Sequence, residues 1–197
     1  MNHSEKMIIM KRLLLIIIIT LSLQSWTKSD DIRDFQIEGM SIGDSLLDYY
    51  TLKNIKSKKK LFYPKSKKHY LIEFTDNLVK YDSIGIHVKE NDNEYKITSI
   101  KGVIFFDKKL KKCKKKMKQI EKDVSNFLNI EKKLYEEKNY PDDRGKGYII
   151  EFHLFNDRLR IWCVDFFKKA EKLGRVDNLA ISIEPHDFSK WLKNEAW

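Results

Sequence analysis

The chain predicts an α+β domain: a mostly antiparallel sheet of about six strands with a long basic amphipathic helix packed on one face. Three observations lead there. Several short segments alternate apolar and polar residues with a period of two, the mark of strands with one buried face. The stretch 110–127 instead spaces Leu110, Cys113, Met117, Ile120, Val124 and Phe127 by threes and fours, a single stripe on an α-helix. Finally, 42% hydrophobic and 12% aromatic residues in a chain of 197 supply one core, and three prolines with seven glycines leave no long linker.

The N-terminus reads as a secretory signal over 1–29. Lys6, Lys11 and Arg12 form its positive start, and 13–23 (LLLIIIITLSL) is an uncharged apolar run. That run is too short for a membrane-spanning helix, which needs about 20 residues. Thr27 and Ser29 suit cleavage after Ser29, with Ser25 as the alternative site. Residues 30–197 then form the mature domain, exported to the periplasm with no transmembrane segment left. No cysteine follows the run to receive a lipid.

The formal charge of +10 comes from 39 basic and 29 acidic residues, of which only Arg12, Arg33, Arg144, Arg158, Arg160 and Arg175 are arginine. Forked recognition of phosphates favours arginine over lysine. Together with export, this excludes nucleic acid as the expected partner.

The mature chain opens with a polar lead-in and then IEGMSIGDSLLDYY at 37–50. Ser41 and Asp44 are spaced like a capping pair, and Ile42, Leu46 and Tyr50 recur every four residues, which predicts a helix over 42–52. This start resembles that of a group of small exported bacterial proteins with no assigned function. A weaker similarity, confined to the Gly39 and Met40 helix entry, is to small lipoproteins of outer-membrane assembly. Neither resemblance implies a functional residue.

Residues 54–69 read as a lysine-rich loop whose Leu61, Phe62 and Tyr63 touch the body. Strands follow over 70–75 and 84–88, with a turn by composition at 90–94. A strand over 95–106 shifts its apolar phase near Gly102, where a bulge or bend is expected. Asp107 stands where it could cap the basic helix. The stretch 129–146 is polar.

Residues 147–167 predict a hairpin. A turn at Asn156 and Asp157 would pair Leu154 with Leu159, Phe152 with Ile161 and Ile150 with Cys163. The opposite face would pair His153 with Arg160 and Glu151 with Trp162. A strand over 179–183 and a final helix carrying Phe188, Trp191 and Leu192 complete the chain.

Cys113 lies in the helix stripe and Cys163 on the apolar face of the hairpin. In an oxidising compartment these two predict a disulfide, adding roughly 4 kcal/mol in the chain-entropy model.

No motif assigns catalytic, cofactor-binding or metal-ligating residues. His153 falls on the face opposite Cys163, so it could not serve that thiol as a base. His3, His69, His87, His153 and His186 lack the spacing of a closed metal site. A sheet-face site would need His87, Glu151 and His153 to converge on a face read as wet. The eight lysines from Lys108 to Lys118 offer a surface for an acidic envelope protein or anionic lipid headgroups, centred on Lys111, Lys112, Lys115 and Lys116. The expected function is that of a small exported, non-catalytic envelope accessory or binding protein. The alternative is a periplasmic enzyme whose site is assembled from residues scattered in sequence.

Overall fold

The computed structural model describes residues 32–128, 130–131, 134–139, 144–154 and 157–197. The expected secretory leader over 1–29 and its expected cleavage site lie outside them, as does Asn156 of the expected hairpin turn.

One fully antiparallel sheet of eight strands dominates the structure. The strands are β1 (Leu61–Phe62), β2 (His69–Phe74), β3 (Ser83–Lys89), β4 (Ser99–Phe105), β5 (Leu134–Asn139), β6 (Gly145–Leu154), β7 (Asp157–Phe166) and β8 (Asn178–Glu184). Their spatial order is β1-β2-β3-β4-β8-β7-β6-β5. Four α-helices are described: α1 (Leu52–Ser57), α2 (Leu110–Leu128), α3 (Lys168–Glu171) and α4 (His186–Asn194). Each half of the sheet is a four-stranded meander. Helix α2 carries the chain from the sheet centre at β4 to the far edge at β5, and β6, β7 and β8 step back until β8 pairs β4.

This corrects the expectation of about six strands and a long helix: the described residues form eight strands and are mostly sheet. The two unforeseen strands are both edges. Strand β1 is two residues long, inside the segment read as a loop. Strand β5 (LYEEKN) is exposed along nearly its whole length, so no buried face marks it in the sequence. Backbone pairing with β6 defines it, and its charges suit an unpaired outer edge.

Apolar rows run straight across one face. Ile86, Ile100, Ile183, Leu159 and Phe152 are successive cross-strand partners. The row of Gly102, Ile181, Ile161 and Ile150 lies beside it. Cys113, Met117, Val124 and Leu128 of α2 join this core, together with Ile32, Ile37, Met40 and Leu46 of the N-terminal segment. Leu128 takes the last buried place on the helix, whereas Phe127 is exposed and meets Phe35 edge-on at 5.4 Å.

Local details differ from the sequence reading for identifiable reasons. Residues 95–97 do not extend β4. Their backbone bonds to Gly43, Asp44 and Leu46 instead, which explains the shifted apolar phase. Gly102 is no bulge, since its pairing is regular on both sides. An added Cβ there would lie 2.5 Å from the Tyr81 ring, so the glycine makes room for that tyrosine. Asp107 does not cap α2. Buried Asp177 accepts from the Lys108 N–H at 3.2 Å and from the Phe166 N–H at 2.7 Å, tying the helix entry to the end of β7.

The hairpin register is displaced by two residues: Phe152 pairs Leu159, Ile150 pairs Ile161 and Tyr148 pairs Cys163. A shift of two keeps every side chain on its face. Asp157 belongs to β7 and pairs Leu154.

The expected helix over 42–52 is a 3-10 turn at Leu46–Asp48 followed by α1. Asp44 accepts from the Ser41 N–H at 2.8 Å, one half of the capping pair. Ser45 and Thr51 are the residues whose hydroxyls cap the two helical segments. Just before them, Glu38 and Gly39 turn the chain with positive φ, at 52° and 80°. The Glu38 carboxylate then accepts the N–H groups of Val79, Lys80 and Tyr81. The IEGM stretch thus ties the N-terminal segment to the β2–β3 connection.

Candidate functional site

Helix α2 lies on the apolar face and is fixed there covalently. Cys113 and Cys163 form a disulfide with their Cα atoms 6.0 Å apart. With the stripe turned inward, the opposite side of the helix is set. Lys111, Lys112, Lys115 and Lys116 are all exposed on it, as are Lys108, Lys109 and Lys118. Lys114 is different: half-buried, it holds its ammonium 3.4 Å from the Tyr148 ring centroid.

This surface opposes itself electrostatically. A helix N-terminus carries partial positive charge and favours acids, but no acid stands in the first turn of α2. Lys111 and Lys115, like Lys112 and Lys116, are four apart, where like charges repel by about 0.2–0.5 kcal/mol per pair. Among the described residues Lys108 forms an ion pair with Glu171 at 3.9 Å, and Lys114 lies close enough to Asp165 to act on its carboxyl. Among the described residues, Lys109, Lys111, Lys112, Lys115, Lys116 and Lys118 have no ion-pair partner. The apolar seam and the disulfide hold in place a helix whose charges disfavour it.

The other face of the sheet carries most of the remaining polar chemistry. His87, Ser99, Glu184, Arg158 and His153 follow one another across the strands, beside Lys101, Ser182, Arg160 and Glu151. Glu151 and Glu184 are buried and neutralise the two arginines. Arg160 Nε donates to Glu151 Oε1 at 2.8 Å, Arg158 Nε to Glu184 Oε2 at 3.1 Å, and Arg158 Nη2 also bonds Glu184. Burial pushes the Glu151 carboxyl up, but the neighbouring Arg160 and Arg158 outweigh it and hold it below its ordinary value.

His87 is not on a wet face. Helix α4 lays Phe188 and Trp191 over this region, and Tyr63 closes it from the side. Tyr63 Oη lies 2.8 Å from His87 Nε2, while His87 Nδ1 has no hydrogen-bond partner among the described residues. Buried His69 packs on Trp191 at 4.5 Å, with Nδ1 3.1 Å from Thr98 Oγ1. The Thr98 hydroxyl donates to the His87 carbonyl, which leaves its oxygen to accept from His69. Burial and nearby Lys101 push His87 down to about 3, and burial with Lys89 and Lys68 pushes His69 down to about 4. Both rings are neutral at pH 7.

The sheet-face site imagined around His87, Glu151 and His153 is therefore not assembled. Four strand spacings, roughly 19 Å, separate the two histidines. His153 contacts Glu151 at 3.4 Å, but that carboxylate is held by arginine. Among the described residues no group of three acids, histidines or cysteines could hold a metal ion.

The chain matches no family model, no curated protein and no solved structure.

The lysine face was legible in sequence as a run of charge between stripe positions. The histidine cover was not. Alternation says which side of a strand a residue occupies, and α4, about a hundred residues further on, decides whether that side is wet.

Proposed function

We propose that this is a small exported, non-catalytic accessory protein of the cell envelope that docks on an anionic lipid surface through the lysine face of α2. The observation that carries the reading is the run of exposed lysines without ion-pair partners at the positive end of a covalently anchored helix. Clustered lysines near anionic headgroups contribute about 1 kcal/mol each, and the attraction dies away within a Debye length. Lysine suits such a diffuse partner, because it acts as a point charge on a flexible stem and needs no matched fork. The positive leader start and apolar run at 6–23 support export. Among the described residues no helix is long and apolar enough to cross a membrane, so contact through charge fits better than insertion through α2.

Co-sedimentation with vesicles tests this. The mature protein should bind vesicles containing anionic phospholipid, bind zwitterionic vesicles at least tenfold more weakly, and release in high salt. The variant K111E/K112E/K115E/K116E should lose the binding while keeping its fold. Equal affinity for the two vesicle types, or full binding by the variant, contradicts the proposal. So does salt-sensitive capture by an acidic protein with no vesicle binding.

A further inference from the structure

The layer holding the arginine–glutamate pairs also contains a cleft that the lysine-face reading does not use. It lies between α4 and β7, encloses about 560 Å³, and is bounded by Arg158 and Arg160 below, Lys190 and Lys193 on the helix, and Leu192 and Trp197 at the side. We infer that this cleft binds a small organic dianion, a phosphate monoester on an apolar body.

The volume falls within the range of small-molecule sites, roughly 300–1,000 Å³. No acidic side chain lines it. The two that balance the arginines, Glu151 and Glu184, sit beneath them in the sheet, at 9% and 5% exposure. Ser182 Oγ donates to Glu184 Oε1 at 2.7 Å and fixes that carboxylate in turn. The guanidinium groups are thus gripped from behind. Arg160 hydrogen-bonds through Nε and sets Nη1 in an ion pair with Glu184 at 4.0 Å, while its terminal nitrogens make no hydrogen bond among the described residues. A fork held in one orientation by buried partners is preorganised for a tetrahedral oxyanion.

Charge counting selects the ligand. Arg158 and Arg160 cancel Glu151 and Glu184. Lys190 and Lys193, three apart on one side of α4, have no ion-pair partner among the described residues and leave two positive charges over. Neither Asp157, which accepts the His186 N–H at 2.8 Å, nor Asp187, three residues before Lys190, is among the residues that line the cleft. Two surplus charges match the charge of a phosphate monoester near neutral pH, which is close to −2. Leu192 and Trp197 add an apolar wall that inorganic phosphate would leave bare. The Trp197 indole meets Tyr63 edge-on at 5.2 Å, which holds that wall against the histidine cover.

Calorimetric titration of the mature protein with phenyl phosphate tests the site, with inorganic phosphate and succinate as comparison probes. Phenyl phosphate should bind saturably and at least tenfold tighter than either. K190Q/K193Q, at exposed helix positions, should weaken it at least tenfold. Trp197→Ala should weaken phenyl phosphate severalfold and leave inorganic phosphate unchanged. The α2 variant K111E/K112E/K115E/K116E should bind phenyl phosphate like wild type, which separates this site from the lipid-docking face. No saturable binding overturns the inference, as does undiminished binding by K190Q/K193Q. Tighter binding of succinate would show that the site reads carboxylates instead.

Discussion

The two faces of the sheet are closed by helices in opposite ways. Helix α2 covers rows of isoleucine and leucine and is fastened by a disulfide. Helix α4 covers a polar face, and its anchors Phe188 and Trp191 rest on two histidines that must stay neutral. One face is held by burial and a covalent bond, the other by contacts that depend on protonation. A single sheet can therefore have one side that acid leaves alone and one that acid opens.

The largest expected effect tests that asymmetry. The unfolded chain takes up protons on His69 and His87 near pH 6.5, but the folded chain does so only near pH 4 and pH 3. A lowered folded value means that stability is complete above about pH 6.5, falls as the pH descends, and levels off below about 3. Between pH 7 and pH 4 the loss should be on the order of 5 kcal/mol, a large part of a typical domain's stability. Urea unfolding at fixed pH measures it. His87→Gln, which cannot be charged, should halve the slope between about pH 6.5 and pH 4 and remove the further fall between pH 4 and pH 3, and an unaltered profile would mean that His87 plays no part in it.

The disulfide comes next and should act on the other face. It joins residues 50 apart in sequence, so opening it should lower stability by about 4 kcal/mol in the chain-entropy model. The denatured, non-reduced protein should show no titratable thiol. Reduction should loosen α2 first and shift the midpoint by a similar amount at pH 7 and pH 5. A pH-dependent loss would mean that the two faces are coupled.

A smaller effect is expected at Gly102 on the apolar face. Gly102→Ala places a methyl against the Tyr81 ring, and overpacking of this kind costs about 1–3 kcal/mol. Because Tyr81 is the obstacle, Tyr81→Ala should recover part of that loss in the double variant. Strictly additive losses would mean that the ring does not limit this position.

What could be read from the sequence follows the same division. The apolar rows were legible because period-two alternation survives even a misjudged turn: shifting the hairpin pairs by two residues moved none of Ile150, Phe152, Leu159, Ile161 and Cys163 to the other face. The cysteine pair was legible because the helix stripe and the hairpin face each placed one sulfur inward. Strand β5 was not, since backbone bonds to β6 hold it and bury almost none of its side chains. Nor was the burial of His87, which depends on α4 and Tyr63 rather than on the neighbours of His87 along β3. Glu184 stands in the alternation of β8 opposite Ile183 and could have been assigned to the polar face. Its pairing with Arg158 required the order of the strands.

Hydrogen exchange resolved by peptide, compared at pH 7 and pH 4 after correction for intrinsic rates, tests the difference between the faces most directly. At pH 4 protection should be lost in α4 and in β3 around His87, while α2 and the strands beneath it stay protected in the oxidised protein. Equal loss in α2 and α4, or α2 opening first, would contradict it.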